Sequence, residues 1–71
     1  MMKKFKLRKA FKKKYKKGQF FYLVSESEFI GVKEFVFRTE DLTERIVVTQ
    51  KEFGDYFIFV EDIRSFEKLD Y

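Results

Sequence analysis

Residues 19 to 38 read QFFYLVSESEFIGVKEFVFR, and this stretch decides the fold class. Aromatic and β-branched residues dominate both of its halves, and a short polar cluster, Ser25 to Glu28, interrupts them in the manner of a turn between two strands. The first half spans Gln19 to Ser25 and the second Phe29 to Arg38, with Gly31 as a bend or bulge point in a strand long enough to curve. A sheet with one wet face alternates apolar and polar residues, whereas here Phe20, Tyr22 and Val24 oppose Phe21 and Leu23 with both sets apolar. Both faces of this sheet therefore require cover.

The same grammar continues downstream. Arg45 to Gln50 and Tyr56 to Glu61 read as further strands, separated by turns at Thr39 to Glu44 and at Phe53-Gly54-Asp55. Tyr56, Ile58 and Val60 oppose Phe57 and Phe59, again with both sets apolar. Links this short imply antiparallel meander connections. Phe21, Phe35, Phe37, Phe57 and Phe59 are the expected core, since 11 Phe and 4 Tyr supply the packing in a chain with no cysteine to bridge and no histidine for a structural zinc site. Seventy-one residues suffice for one core and no more.

Upstream the character changes. Residues 1 to 17 hold ten Lys or Arg and no acid, while residues 18 to 71 hold all twelve acids against six bases. The division predicts a basic arm over 1–17 and an acidic, aromatic-rich β domain over 18–71. Within the arm Leu7, Phe11 and Tyr15 recur every four residues, which predicts a helix over residues 4 to 17 that ends at Gly18. The expected fold is mainly β with an N-terminal helix, the antiparallel sheet being strongly bent or closed into a barrel of four to five strands. Ile63, Phe66 and Leu69 also fit one face of a C-terminal helix capped by Asp62, which makes α+β the alternative.

Tyr56 to Leu69, YFIFVEDIRSFEKL, resembles the close of an Sm-like or SH3-like small β-barrel, in which a one-turn 3₁₀ segment links the fourth strand to the fifth. A helix followed by a bent sheet is also the Sm order. The resemblance implies a small barrel; it does not extend to an Sm-type RNA-binding signature, so it speaks to fold and not to function.

The chemistry in the sequence points away from catalysis. Six hydroxyl residues without histidine or cysteine exclude a Ser-His or Cys-His nucleophile, and Gly18, Gly31 and Gly54 stand too far apart for a phosphate loop. Glu40, Asp41 and Glu44, or Glu61 and Asp62, have the chemistry for Mg²⁺ or acid–base work, but such turn clusters are ordinarily solvated surface. No enzyme activity, metal or cofactor is expected.

The basic arm carries the functional expectation. Lys3, Lys4, Lys6, Arg8, Lys9, Lys12, Lys13, Lys14, Lys16 and Lys17 are suited to displacing counterions from phosphates, with Phe11 and Tyr15 placed to stack on bases or to support the helix. Nucleic acid bound without sequence preference is the leading partner, because lysine contacts to phosphate carry no base information. A protein partner is the alternative: Gln50, Phe53, Tyr56 and Phe57 resemble the spacing of a sliding-clamp-binding motif, with Phe53 in place of the usual aliphatic plug. Membrane-surface binding ranks last because the apolar stripe of the arm is thin. Apolar faces in excess of one core also leave room for self-association. Absence of cysteine and of a signal-like apolar run near the N-terminus leads to a cytoplasmic expectation, and the lack of Asn, Cys and His leans toward a thermophile's composition.

Overall fold

The computed structural model describes residues 2–63. It contains five strands and one helix: β1 (Met2–Leu7), β2 (Phe20–Phe29), β3 (Val32–Thr39), β4 (Arg45–Thr49), α1 (Gln50–Tyr56) and β5 (Phe57–Ile63). All five strands form one antiparallel sheet in the order β4-β3-β2-β1-β5. The first four strands make a meander, and α1 carries the chain from the β4 edge to the β5 edge.

That connection requires curvature. In a flat sheet β4 and β5 would lie four strand spacings apart, roughly 19 Å, whereas the seven residues of α1 rise only about 10 Å. The sheet therefore curls until its ends approach. Phe37 of β3 stacks on Phe57 of β5 with centroids 4.3 Å apart, although two strands separate them in the sheet. The sheet stays open, β4 and β5 sharing no ladder, and α1 packs across the gap. Phe53 of α1 stacks on Phe35 at 4.2 Å and meets Phe5 at 5.2 Å, so the helix closes the concave side with a ring.

The core consists of Phe5, Leu7, Phe11, Tyr15, Phe21, Leu23, Phe35, Phe37, Val48 and Phe57. Four of the five expected core phenylalanines are buried, and the fifth, Phe59, is 51% exposed. Phe21 meets Tyr15, Phe37 and Phe57 edge-on, the arrangement that the ring quadrupole favours.

Several expectations are corrected. The N-terminal helix over residues 4 to 17 is absent: the chain instead forms β1 and then an irregular loop. The reason is a period of two in Lys4-Phe5-Lys6-Leu7, which turns Phe5 and Leu7 into the core and leaves the lysines on the other face. As an inner strand, β1 has its backbone satisfied by β2 on one side and β5 on the other. A helix of ten like charges has no such compensation.

Gly18, expected as a helix stop, has φ +87° for another reason: it leads the loop back into the sheet, donating from its N–H to the Leu7 carbonyl at 2.8 Å. The turn expected at Ser25 to Glu28 lies further on. β2 continues to Phe29, and the reversal is the two-residue turn Ile30-Gly31, with φ +51° and +76°, the primed geometry that matches strand twist. Gly31 is thus a turn residue and not a bulge. The bulge falls at Val24, where the β2–β3 register shifts between Leu23 and Ser25.

The expected turn at Phe53-Gly54-Asp55 is the interior of α1. Thr49 and Glu52 form a reciprocal capping box, with the Thr49 Oγ1 accepting from the Glu52 N–H at 3.1 Å and the Glu52 Oε1 accepting from the Thr49 N–H at 2.9 Å. The closed barrel is also corrected to an open, curled sheet. In the segment that resembles a small-barrel terminus, β5 continues through a register shift at Val60 to Ile63, and the remainder, with most of the alternative C-terminal helix, lies outside the described residues.

Candidate nucleic-acid interface

The basic residues divide between β1 and the loop that follows it. Lys3, Lys4 and Lys6 lie on β1, and Arg8, Lys9, Lys12, Lys13, Lys14, Lys16 and Lys17 on the loop between β1 and β2. The loop is anchored at both ends and in its middle. Leu7 and Gly18 or Gln19 exchange backbone hydrogen bonds across its neck, and the Arg8 N–H donates to the Tyr56 carbonyl at 2.9 Å. Its two aromatic residues point inward: Phe11 is 2% exposed and Tyr15 6%. Phe11 packs on Tyr56 and Phe57, and Tyr15 packs edge-on against Phe21.

Between these anchors the backbone reverses sharply. Phe11 and Tyr15 exchange N–H···O bonds of 2.9 and 3.0 Å, and Lys14 also donates from its N–H to the Phe11 carbonyl. Lys12 and Lys13 hold φ of +54° and +56°. A left-handed conformation costs a residue with a Cβ about 1–2 kcal/mol, and two adjacent lysines adopt it here. The outcome is three successive lysines displayed at the tip of a turn whose base is embedded in the core.

Ion pairing separates the cations into two groups. Lys14 Nζ lies 2.9 Å from Glu44 Oε1, Lys4 Nζ 3.3 Å from Glu40 and Lys3 Nζ 3.6 Å from Asp62. The other seven of the ten have no carboxylate partner among the described residues. Six of them, Arg8, Lys9, Lys12, Lys13, Lys16 and Lys17, are exposed on the one loop. Lys9 and Lys12 lean over the rings of Tyr56 and Phe11, at 4.8 and 5.3 Å from the centroids.

Titration follows the same contacts. Hydrogen bonds from Lys14 and then from Tyr15 hold the Glu44 carboxyl below the usual carboxylate range, and the Lys14 ammonium is correspondingly raised. Burial, followed by the bond to Glu44, raises the Tyr15 phenol. Asp41 is lowered by the Thr39 hydroxyl and by the N–H and hydroxyl of Thr43, which bind one of its oxygens within 3.1 Å. This carboxylate organises the β3–β4 turn.

The acidic side chains of the described residues lie in four places, two of them being α1 (Glu52, Asp55) and the end of β5 (Glu61, Asp62). Glu40, Asp41 and Glu44 border the basic loop, with Glu40 and Glu44 paired to its cations or to β1. Glu26, Glu28 and Glu34 lie at the other end of β2, on the β2–β3 hairpin, and a strand of ten residues spans roughly 30 Å. Beyond Leu23 the hairpin has no β1 alongside, and its tip is apolar and exposed at Phe29, Ile30 and Val32.

The four residues with sliding-clamp-motif spacing sit on one short stretch. Gln50, Phe53 and Tyr56 belong to α1 and Phe57 begins β5. Gln50 is exposed, Phe53 and Tyr56 are half-buried, and Phe57 is 7% exposed beneath Phe37. No group of three acidic side chains among the described residues is placed to hold a metal ion, and no helix there is long and apolar enough to cross a membrane.

Comparison with protein-family models, with curated proteins and with solved structures finds no match to this chain. The reading of function therefore rests on these side chains.

Sequence reasoning assembled the cations and missed the loop's shape. It placed Glu44 in a solvated turn cluster and missed its bond to Tyr15, which joins the loop to the β3–β4 turn, and no local pattern signals a contact across 29 residues. The capping box did have a signal, Thr49-Gln50-Lys51-Glu52.

Proposed function

We propose that this chain is a non-enzymatic, cytoplasmic binding protein that engages nucleic acid, without sequence preference, through the loop from Arg8 to Lys17. One observation carries the reading: six exposed cations without carboxylate partners among the described residues stand on a loop whose base is held in the core by Phe11 and Tyr15. The loop backbone is anchored before any ligand arrives, so backbone ordering adds little to the cost of binding. Strain at Lys12 and Lys13 supports the same reading, since unfavourable backbone geometry concentrates where function retains it. Phe11 and Tyr15 serve as supports in this account, and lysine-to-phosphate contacts supply the affinity without reading bases.

The test is charge removal at exposed positions. An intact protein using all six cations loses about 10³-fold in affinity for a duplex oligonucleotide between 50 and 200 mM salt. A Lys9→Gln, Lys12→Gln, Lys16→Gln variant retains its melting temperature, binds more weakly and shows a shallower salt slope. Unchanged affinity in that variant would refute the proposal.

A second reading, a regulator acting through a protein partner, is favoured by the β2–β3 hairpin, whose exposed Phe29, Ile30 and Val32 stand among Glu26, Glu28 and Glu34. A sliding clamp as that partner requires α1 to undock, because Phe53 and Phe57 face the core. Titration of a clamp with the intact protein and with a Gln50→Ala variant distinguishes the two forms of this reading. Equal or absent binding leaves the hairpin as the partner surface.

A further inference from the structure

We infer that the loop takes double-helical nucleic acid in preference to single strands, contacting the phosphate arrays and stacking on no base; this rests on the function proposed above. Proteins that bind single strands combine a basic track with rings on which successive bases lie. Here the cations are present and the rings beside them are engaged elsewhere. Phe11 and Tyr15 are buried, and the Tyr15 hydroxyl is committed to Glu44. Tyr56 is half-buried beneath the Lys9 ammonium, and Phe20 is half-buried with the Lys4 ammonium 4.3 Å above it.

The rings exposed among the described residues, Phe29 and Phe59, are not available to the same ligand. Phe29 lies at the far end of β2 among Glu26, Glu28 and Glu34, whose charge repels phosphate. Phe59 meets Phe5 edge-on at 5.6 Å and has Lys3, not a loop cation, beside it.

Phosphate contact alone favours the denser charge array. Each contact contributes about 0.9 to the logarithmic salt slope on a B-form DNA duplex and about 0.7 on a single strand. For six contacts the slopes differ by roughly one unit, so affinities that converge near 1 M salt separate by about tenfold at 0.1 M.

The experiment titrates the full chain, by fluorescence anisotropy over a salt series, against four labelled oligonucleotides of one length. These are a DNA duplex, an RNA duplex, a mixed-sequence single strand of DNA and an abasic single strand with the same number of phosphates. The expected result is tighter binding and a steeper slope for the duplexes than for either single strand, with the abasic strand bound as tightly as the base-bearing one. The two duplex arms identify which helix is preferred, and both outcomes support the inference. A base-bearing single strand bound as tightly as the duplexes, or markedly more tightly than the abasic strand, overturns the inference while leaving the proposed function standing. Absence of binding to all four at 20 mM salt overturns both.

A Lys13→Gly variant guards against misfolding as an explanation, because glycine accepts φ +56° without strain. It melts higher than the parent and binds the duplexes less tightly, a pair of opposite shifts that unfolding does not produce. Unchanged duplex affinity in this variant removes Lys13 from the contact set and counts against the inference.

Discussion

Tyr15 donates its phenolic hydrogen to Glu44 Oε1 at 2.9 Å, across 29 residues of sequence, and the Lys14 ammonium reaches the same oxygen. The basic loop is thereby tied to the turn between β3 and β4. Tyr15→Phe retains the buried ring and removes the bond, so a loss of about 1 kcal/mol is expected in urea unfolding at neutral pH. Acid should act on the same contact. Glu44 and Asp41 have folded-state pKa values below their unfolded ones, so their contribution is complete above about pH 5 and declines as pH falls through the folded values. Tyr15 behaves oppositely: its raised pKa makes its contribution complete below about pH 10 and lost as pH rises above that. A pH series of urea midpoints checks both limbs, and a midpoint independent of pH below 4 would contradict the assignment.

Ile30 occupies the first position of the primed turn with φ +51° and 84% of its surface exposed. A β-branched residue there is strained and gains nothing from burial. Ile30→Asn should stabilise the protein by about 1 kcal/mol, since Asn-Gly is the preferred pair for this turn. Gly31→Ala should destabilise it despite open space around the site, because φ +76° is unfavourable for any residue with a Cβ. Thermal melts of the two variants should move in opposite directions.

Phe37 and Phe57 stack face to face across the curl of the sheet, with an interplanar angle of 8°. Truncating either to Ala costs about 3–5 kcal/mol, enough to unfold most molecules of a domain this small. Phe59→Ala should cost far less, given the ring's exposure. Circular dichroism at 25 °C separates the cases, and native-like melting of Phe37→Ala would disprove the stacked core.

Thr49 caps α1, and the helix is what spans the opening between β4 and β5. Thr49→Ala should lower stability by about 1 kcal/mol, with a smaller loss for Glu52→Ala, which removes only the return bond. Hydrogen exchange should localise the effect to residues 50 to 56.

Deletion of residues 1 to 17 should abolish the fold. It removes β1 from the middle of the sheet along with Phe5, Leu7, Phe11 and Tyr15 from the core. A soluble, cooperatively melting fragment 18–71 would show instead that β5 can pair directly with β2.

Local chemistry determined the composition of the β elements and their antiparallel order. Alternating β-branched and aromatic runs marked β2, β3, β4 and β5 within a few residues, because side-chain direction alternates along any strand. The same pattern called for cover on both sheet faces, whereas among the described residues Val24, Ile58 and Val60 remain exposed; the concentration of cations before Gly18 marked the candidate interface. The state of residues 4 to 17 was not legible in the same way. Leu7, Phe11 and Tyr15 satisfy a helical spacing while Lys4-Phe5-Lys6-Leu7 satisfies a strand's, and the presence of β2 and β5 on either side decides between the two patterns. The turn at Ile30-Gly31 violates residue preference, so only hydrogen bonding between β2 and β3 reveals it. Curvature likewise belongs to the tertiary structure: a helix shorter than the flat distance between two sheet edges draws those edges together, and the rings of Phe37, Phe53 and Phe57 fill the hollow this creates.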